Sequence, residues 1–345
     1  MSAAACGLRA EVLRDDAALL ALRPEWEALW RRCPAATPFQ SPFWLLPWWA
    51  EFGTGQPRAA ALRDGAGWLR GLLPLYLLPE GEETKLLPMG IGLSDYLDVL
   101  LEPEAPAEAA SLLLRAALEA SPEATTCDLT DLPPGAALRE ALAGAWQDAG
   151  LWNSDPCPVL ELPAGATLGA VLSRKRHAAL RNARNRAERA GGWAVESATA
   201  NTLDPALDAL IALHGARWEA RGEPGGVLAD PRVLRFHRAA APGLLAVGVL
   251  RLQLLRLGGV PAAATYALLA PGGRVLLYLS GFDGARSYES PGAILLGAIV
   301  EEILATGGGE LHLLRGDEAY KYGWGAADRH NAARHLVPPG RGMTA

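Results

Sequence analysis

The sequence predicts an α/β protein with two domains, and three observations lead to this prediction. The chain has 345 residues, half of them hydrophobic, which is long for one hydrophobic core and comfortable for two. Apolar runs typical of strands alternate with segments of helical periodicity. The second half repeats the order of elements of the first half, without a repeat of individual residues. We place the boundary near Asp155 and predict domains at residues 1–155 and 156–345.

Strand and helix patterns alternate through the first half. Ser94, Asp95, Tyr96 and Asp98 interrupt an apolar strand within residues 86–103. Residues 151–158 read as a linker. The expected helices cover residues 16–34, a segment from residue 41, residues 108–118 and residues 136–149. The expected strands cover residues 8–13, 58–62, 68–77 and 126–129, the second and third forming a hairpin.

The second half is expected to continue after Pro163 with a strand, a basic helix and a second helix. That second helix, at residues 204–221, places His214, Trp218 and Arg221 on one face. His214 is then either a catalytic base or a packed histidine with Trp218 beside it. Three antiparallel strands joined by tight turns are predicted at residues 250–257, 260–269 and 274–280.

Residues 274–325 combine a strand, a glycine-containing loop, a helix start and a second strand at residues 311–314. Ser290 suits the N-cap and Pro291 the first helical position, and Gly307 marks the helix end. A helix N-terminus after a strand presents free backbone N–H groups to an anion. Ser-Pro-Gly is equally an ordinary helix start that binds nothing.

The basic helix carries seven Lys or Arg residues between Arg174 and Arg189 against one Glu. Arg174, His177, Arg181 and Arg184 fall on one face of this helix, while Leu180 and small residues form the opposite stripe. Arg181 and Arg184 are therefore candidates for binding phosphate. The alternative is a basic face that only meets solvent.

Composition and charge exclude several classes of protein. A net charge of −6 argues against a protein that coats nucleic acid, and no DNA partner is expected. The four cysteines lie far apart and form no CxxC or Cys/His cluster, so we expect neither a disulfide framework nor a metal site. The sequence shows no signal peptide or membrane-spanning segment, which predicts a soluble cytoplasmic protein. Three tryptophans at helical spacing are expected in the core: Trp44, Trp48 and Trp49.

The motifs RKRHAALRNARNR, HGARWEARG, GFD, SPG and GDEAYKYGWG occur in an order that resembles the BioF2-like acetyltransferase family of the GNAT superfamily. That family is often found in cellulose and exopolysaccharide gene clusters. The segments FQSPFWLLPWWAEFG and LSDYLDV extend the resemblance over nearly the whole chain. The family is similar to Fem-type aminoacyl transferases, which pair two GNAT-like domains. Tyr320-Lys321 before Gly323 and Gly325 resembles their aromatic-lysine pair.

The resemblance implies two GNAT-like domains with mixed, mostly antiparallel sheets flanked by helices. The first, a degenerate domain, would shape the acceptor site, and the second would bind an acyl-CoA donor without a metal. The sequence departs from the usual phosphate loop, because only Gly292 fits its glycine pattern after Arg286. The implied donor-binding residues are Gly281, Phe282, Arg286, Ser290, Pro291 and Gly292.

The implied function is transfer of an acetyl or other acyl group from acyl-CoA to an amine or hydroxyl of a cell-envelope, polysaccharide or small-molecule acceptor. Asp317 or Glu318 would act as the base, and Lys321 would stabilise charge. Tyr320 would be a phenol that positions the reacting groups or donates a proton. His214 is the reserve base. The candidate substrate-binding residues are Arg181, Arg184, Trp218, Asp95, Tyr96 and Asp98.

Two alternatives remain open at this point. One is a Fem-type transferase that uses aminoacyl-tRNA to modify a peptidoglycan precursor, with the basic helix holding RNA phosphates. The other is a binding protein without catalytic activity on a degenerate GNAT scaffold.

Overall fold

The computed structural model describes residues 7–219, 222 and 226–340. The chain forms two compact units, and the division falls between Asp155 and Pro156. The first unit also takes the chain from Arg329 on, so the second unit ends at Asp328. The sequence prediction had assigned residues 329–345 to the second domain, and the structure groups the described part of this segment with the first unit. The reason is that this segment pairs as a strand with residues near Cys127.

The first part of the chain contains these elements: β1 (Arg9–Leu13), α1 (Asp16–Ala21), α2 (Arg23–Arg32), α3 (Pro42–Phe52), β2 (Gln56–Arg63), β3 (Leu69–Glu80), β4 (Glu83–Pro88), β5 (Leu100–Leu101), α4 (Ala109–Glu119), β6 (Thr126–Leu132) and β7 (Gln147–Leu162). The remaining elements are α5 (Leu168–Val171), α6 (Arg174–Arg189), β8 (Trp193–Ser197), α7 (Leu203–Glu219), α8 (Pro231–Ala246), β9 (Leu250–Leu257), β10 (Val260–Ala270), β11 (Arg274–Phe282), α9 (Pro291–Ala305), β12 (Gly309–His312), α10 (Ala319–Tyr322) and β13 (Ala327–Val337).

In the first unit the sheet has the strand order β1-β2-β3-β4-β6-β13. Its neighbours are antiparallel except β4 and β6, which run parallel with Leu86 opposite Cys127. The connection between these parallel strands contains α4, whose apolar face is buried at Leu113 and Leu114. The predicted core position of the tryptophans in α3 is confirmed, since Trp44 is fully buried and its indole N–H donates to Ser94 Oγ at 3.0 Å.

In the second unit the sheet has the order β8-β9-β10-β11-β12-β7. Again one pair is parallel, β11 with β12, and α9 connects its two strands. The three antiparallel strands β9, β10 and β11 and the helix α9 are confirmed. Each unit therefore places one parallel pair joined by a helix inside an otherwise antiparallel sheet, and the predicted fold class is correct.

Two layers of helices cover the sheet of the second unit. Helices α6 and α9 pack against each other, and they share a core cluster with Ala263 and Ala267 of β10. Helices α7 and α8 pack elsewhere on the same strands, where the ring of Tyr266 lies 5.5 Å from His237 of α8. Strand β11 carries a bulge at Tyr278. Tyr266 of β10 pairs with Leu279 and Ala267 pairs with Leu277, so Tyr278 has no partner in the register.

Several predicted elements are wrong. The helix expected at residues 136–149 is a short 3₁₀ helix, Ala137–Arg139, followed by a loop and then by β7. Gly144 has φ of +66°, a left-handed conformation that an α-helix running to residue 149 could not contain. The expected linker at residues 151–158 lies inside β7. The helix expected at residues 16–34 is divided at Leu22, because Pro24 begins a new helix.

Four elements were missed, and two expected strands are displaced or almost absent. The sequence prediction has no counterpart for strand β8, helix α8, helix α10 or strand β13. The strand expected after Pro163 lies before it, as the end of β7. The apolar strand expected around residues 86–103 shrinks to the end of β4 and the two residues of β5.

Candidate functional site

A cavity of about 350 Å³ lies in the second unit, at the end of β11. Strand β11 pairs with β12 from Arg274 to Leu276, and the cavity-lining part of β11 starts at Leu277. Beyond this point β11 keeps its partner β10 but has left β12. The rest of the lining comes from β10, from Ser287 and the first turns of α9, from one residue each of α6 and α7, and from Tyr320 and Trp324 after β12.

The N-terminus of α9 forms one wall of the cavity through Ser290, Pro291 and Gly292. The predicted helix start is confirmed, but Ser290 does not cap it with its side chain. Its backbone is left-handed, with φ of 54°, and its hydroxyl donates to the carbonyl of Ser287 at 3.2 Å. Pro291 has no N–H, and the N–H of Gly292 in the first turn has no partner inside the helix. The positive end of the helix dipole therefore meets the cavity.

Gly281 and Phe282 at the end of β11 also line the cavity. A Cβ atom on Gly281 would lie 2.4 Å from the backbone nitrogen of His214 in α7, so only glycine lets the helix approach this closely. Arg286, by contrast, does not line the cavity and pairs with Glu289 at 3.4 Å.

Two arginines that the sequence analysis did not select line the cavity, Arg176 of α6 and Arg217 of α7. Arg176 donates from Nε to the carbonyl of Gly323 at 2.9 Å and lies 5.5 Å from the ring of Trp324. Arg217 donates to Ser280 Oγ at 3.1 Å. Among the described residues that line the cavity there is no aspartate, glutamate or histidine. The lining is therefore cationic, which suits an anionic ligand.

Arg217 also lies 5.2 Å from the ring of Phe282. One signal in the sequence could have found it, because it follows His214 by three positions and so shares its helix face. For Arg176 the signal was the run of basic residues in the helix, but the sequence analysis selected Arg181 and Arg184, which lie further along it.

The predicted phosphate-binding residues of the basic helix take other positions. Arg184 forms a two-pronged ion pair with Glu301 of α9, with both distances at 2.7 Å, and lies 5.4 Å from the ring of Trp193. Arg181 is exposed, and neither it nor Arg184 lines the cavity. The opposite stripe of α6, including Leu180, is buried as predicted.

Lys321 is only 2 % exposed, and its ammonium group is fully engaged. Its Nζ donates to the carbonyls of Leu314 at 2.9 Å, Arg315 at 2.7 Å and Gly316 at 3.0 Å. It also pairs with Glu318 Oε2 at 2.9 Å. The ammonium therefore holds the turn that follows β12 and does not line the cavity.

The other residues of this segment differ in their access to the cavity. Tyr320 lines it, whereas Asp317 is exposed and Glu318 is half-buried outside the lining. Burial acts to raise the pKa of Glu318, but the hydrogen bond and charge of Lys321 outweigh it and hold this pKa below its usual value. A carboxylate with a lowered pKa is a weaker base.

His214 is buried beneath the site and does not line the cavity. Its Nδ1 lies 3.0 Å from the carbonyl oxygen of Ser280, which can only accept, so Nδ1 carries the proton. Burial lowers the pKa of His214 and keeps the ring neutral. Trp218, also outside the lining, lies 5.9 Å from this ring, while Arg221 falls outside the described residues.

The candidates in the first unit have structural contacts. Asp95 and Tyr96 are buried. The Asp98 carboxylate accepts the N–H groups of Ala137 at 2.8 Å and Leu138 at 3.1 Å. Burial raises the pKa of Asp98 to about 6, against the lowering effect of these hydrogen bonds. The cavity beside Asp98, between β4 and β6, has only about 10 Å³, which holds no more than about one water molecule.

Nowhere in residues 7–219 or 226–340 do three His, Cys, Asp or Glu side chains gather as metal ligands would. No helix within the same described ranges has the length and apolar character needed to cross a bilayer.

Comparison with known proteins identifies a domain within the chain and a shared fold. Residues 174–322 match the model of the acetyltransferase (GNAT) domain. No curated protein matches the chain. The fold is similar to the crystal structure of FemX, with a TM-score of 0.65 and 13 % identity over 90 % of this chain and 95 % of that chain. It is also similar to L-PGS from Bacillus licheniformis, with a TM-score of 0.58 and 12 % identity over 93 % of each chain.

A conserved protein of unknown function from Bacteroides thetaiotaomicron has the same fold, with a TM-score of 0.58 and 14 % identity over 95 % of this chain and all of that chain. At these identities the structures establish the fold, and the domain match applies to the segment that it covers. Residues 174–322, somewhat less than half of the chain, match an acetyltransferase (GNAT) domain.

Proposed function

We propose that this protein is an acyltransferase that moves an acyl group, most simply acetyl, from acyl-CoA to an amine or hydroxyl of its acceptor. One observation carries the proposal. A cavity of about 350 Å³ joins the N-terminus of α9, the part of β11 beyond β12, and the phenol of Tyr320 within the matched domain. A donor needs a place for its phosphates, a channel for its thiol arm and a group near the leaving sulfur, and these three walls provide them.

The phosphates of the donor would bind at Ser290, Pro291 and Gly292. A helix dipole stabilises a charge there by about 0.3–1 kcal/mol, and the N–H of Gly292 adds a hydrogen bond. Arg217 strengthens the positive potential at this wall, and Arg286 is not needed because it pairs with Glu289.

The reaction forms a bond from the acceptor nitrogen or oxygen to the acyl carbon and breaks the bond from this carbon to sulfur. The acceptor loses a proton, and the departing thiolate gains one. Tyr320 is the phenol among the residues that line the cavity, so we propose that it donates the proton that the departing thiolate gains. Asp317, Glu318 and His214 lie outside the lining, and we assign the proton of the acceptor to water.

The first unit would be a degenerate domain. It has the same parallel strand pair, but the cavity there of about 10 Å³ leaves no room for a donor. Leu97 and Asp98 line this small cavity, and we assign them a packing role and not a substrate contact.

Donor binding is tested with Gly292. Coenzyme A at about 100 times its dissociation constant should stabilise the parent protein by roughly 2.7 kcal/mol in thermal unfolding. Gly292→Glu should abolish this shift, because a carboxylate would occupy the phosphate position. The glutamine side chain of Gly292→Gln has about the size of glutamate without its charge, so this variant should retain part of the stabilisation by coenzyme A.

Gly292→Ala is the matched control for the backbone. Its Cβ would meet Phe282 at 3.4 Å, an ordinary contact, so stability and binding should match the parent. A parent protein that shows no shift at millimolar coenzyme A would contradict the proposed donor.

The role of Tyr320 is tested by turnover. Tyr320→Phe keeps the ring and removes the proton, so kcat should fall by about a hundredfold or more while coenzyme A affinity stays within twofold. The rate should be followed as thiol release from acetyl-CoA with a panel of amines and alcohols. Unchanged kcat in a variant that binds the donor would exclude Tyr320 as proton donor.

An aminoacyl-tRNA donor is the second candidate. The observation that favours it is the exposed basic surface of α6, formed by Arg174, Lys175, Arg181 and Arg189. Each neutralised phosphate would add to the salt dependence of binding. Tight, salt-sensitive tRNA binding without a coenzyme A shift would support it, and a protein that binds neither donor would be a binding protein without catalytic activity.

A further inference from the structure

Tyr288 is the feature of the donor wall that the proposed function leaves unexplained. Its side chain is 74 % exposed, which is unusual for a large ring in an ordered segment. It lies between Ser287 and Ser290, both of which line the cavity, and it precedes the N-terminus of α9 by three residues. An exposed ring is thus placed at the edge of the phosphate-binding wall.

Arg186 of α6 holds this ring in place. Its guanidinium lies 4.9 Å from the centre of the Tyr288 ring, and its Nε donates to the Tyr288 carbonyl at 2.6 Å. One arginine therefore fixes both the backbone and the ring of Tyr288. Because Tyr288 is 74 % exposed despite this contact, most of its surface stays open to a flat partner.

The charges around the ring favour an anionic partner. Arg186 contributes a positive charge directly, and Arg189 is exposed on the next turn of α6. The nearest acidic side chain in sequence, Glu289, is paired with Arg286 at 3.4 Å. An aromatic ring backed by a cation is a surface on which nucleobases stack.

We propose that Tyr288, supported by Arg186, is a stacking platform for the adenine ring of a nucleotide, here the nucleotide end of the acyl-CoA donor. This inference rests on the proposed function, because the phosphates at α9 bring the nucleotide to this edge of the cavity. It adds a binding subsite that recognises the base by its flat face, outside the cavity in which the acyl group reacts.

Three probes separate the parts of the donor. These are coenzyme A, 4′-phosphopantetheine, which lacks the nucleotide, and adenosine 3′,5′-bisphosphate, which lacks the thiol arm. Dissociation constants are measured by calorimetry for the parent, Tyr288→Ala and Tyr288→Phe. The alanine variant should bind coenzyme A about tenfold more weakly, the effect of losing one base–aromatic stack, and the phenylalanine variant should match the parent.

The stacking platform also predicts the results with the other two probes. Binding of 4′-phosphopantetheine should be equal in all three proteins, and binding of adenosine 3′,5′-bisphosphate should weaken in Tyr288→Ala by about the same tenfold factor as binding of coenzyme A. Arg186→Met should weaken both adenine-containing probes by a smaller factor. Trp68→Ala is the control, since Trp68 is an aromatic residue of the first unit with 65 % exposure and should change no affinity.

The possible failures are distinguishable. Equal coenzyme A affinity in the parent and Tyr288→Ala overturns the platform and leaves the proposed function intact. Equal loss of coenzyme A and 4′-phosphopantetheine also overturns it, because the variant would then have damaged the phosphate wall. If coenzyme A does not bind the parent at all, the proposed function fails, and the adenosine 3′,5′-bisphosphate measurement alone decides the platform.

Discussion

Gly281→Ala is expected to lower the free energy of unfolding by about 3 kcal/mol, at the upper end of the effects of overpacking. The added Cβ would lie 2.4 Å from the nitrogen of His214 and 2.6 Å from the carbonyl carbon of Leu213. Both atoms belong to the backbone of α7, so no side-chain rotation relieves the clash. The helix must move away from β11, and chemical denaturation of the purified variant measures the cost.

Donor affinity should fall in the same variant, because Arg217 lies one turn further along α7 and reaches the cavity from there. Gly284→Ala is the control in the same loop, since its Cβ meets nothing within 4 Å and it should match the parent. A Gly281→Ala protein with parental stability and lost donor binding would contradict the packing role and would leave Gly281 with the donor-contact role expected from the sequence.

The elements that the sequence predicts well are those whose signals are local. Ser290 and Pro291 start α9, and the glycines at 258, 259, 272 and 273 separate β9, β10 and β11. Residues 136–149 have a composition typical of a helix, yet their backbone groups find partners far away in the sequence. Arg334 donates to the carbonyls of Leu138 at 2.9 Å and Ala141 at 2.6 Å, and Asp98 accepts from the N–H of Leu138. No local pattern shows such partners.

The same distinction applies to the candidate site. The positions of Ser290, Gly292 and Tyr320 along the cavity agree with motifs that are short in sequence. Arg176 and Arg217 reach the cavity from two separate helices, so finding them requires the packing of α6 and α7. The error for Arg184 has the same cause, because its partner Glu301 in α9 is 117 residues away in the sequence.

For Lys321 the sequence motif suggests a catalytic ammonium, whereas the structure surrounds that ammonium with acceptors. Three carbonyl oxygens and one carboxylate oxygen lie between 2.7 and 3.0 Å from Nζ. One of these carbonyls belongs to Leu314, whose φ of +56° is rare for a branched side chain. The ammonium therefore stabilises a strained turn between β12 and Tyr320, and it acts on the site by positioning.

Lys321→Met should consequently lower the free energy of unfolding by about 3 kcal/mol or more, since it leaves buried carbonyls without a donor and Glu318 without its cation. Glu318→Gln is the matched control. The Glu318 side chain is 40 % exposed and the lysine would keep its three carbonyls, so this variant should lose no more than about 1 kcal/mol. Urea denaturation of both variants gives the comparison, with turnover and coenzyme A affinity measured beside it. If Lys321→Met kept parental stability and donor affinity but lost turnover about a hundredfold, the turn-stabilising role would be excluded and the ammonium would be a stabiliser of charge in the transition state.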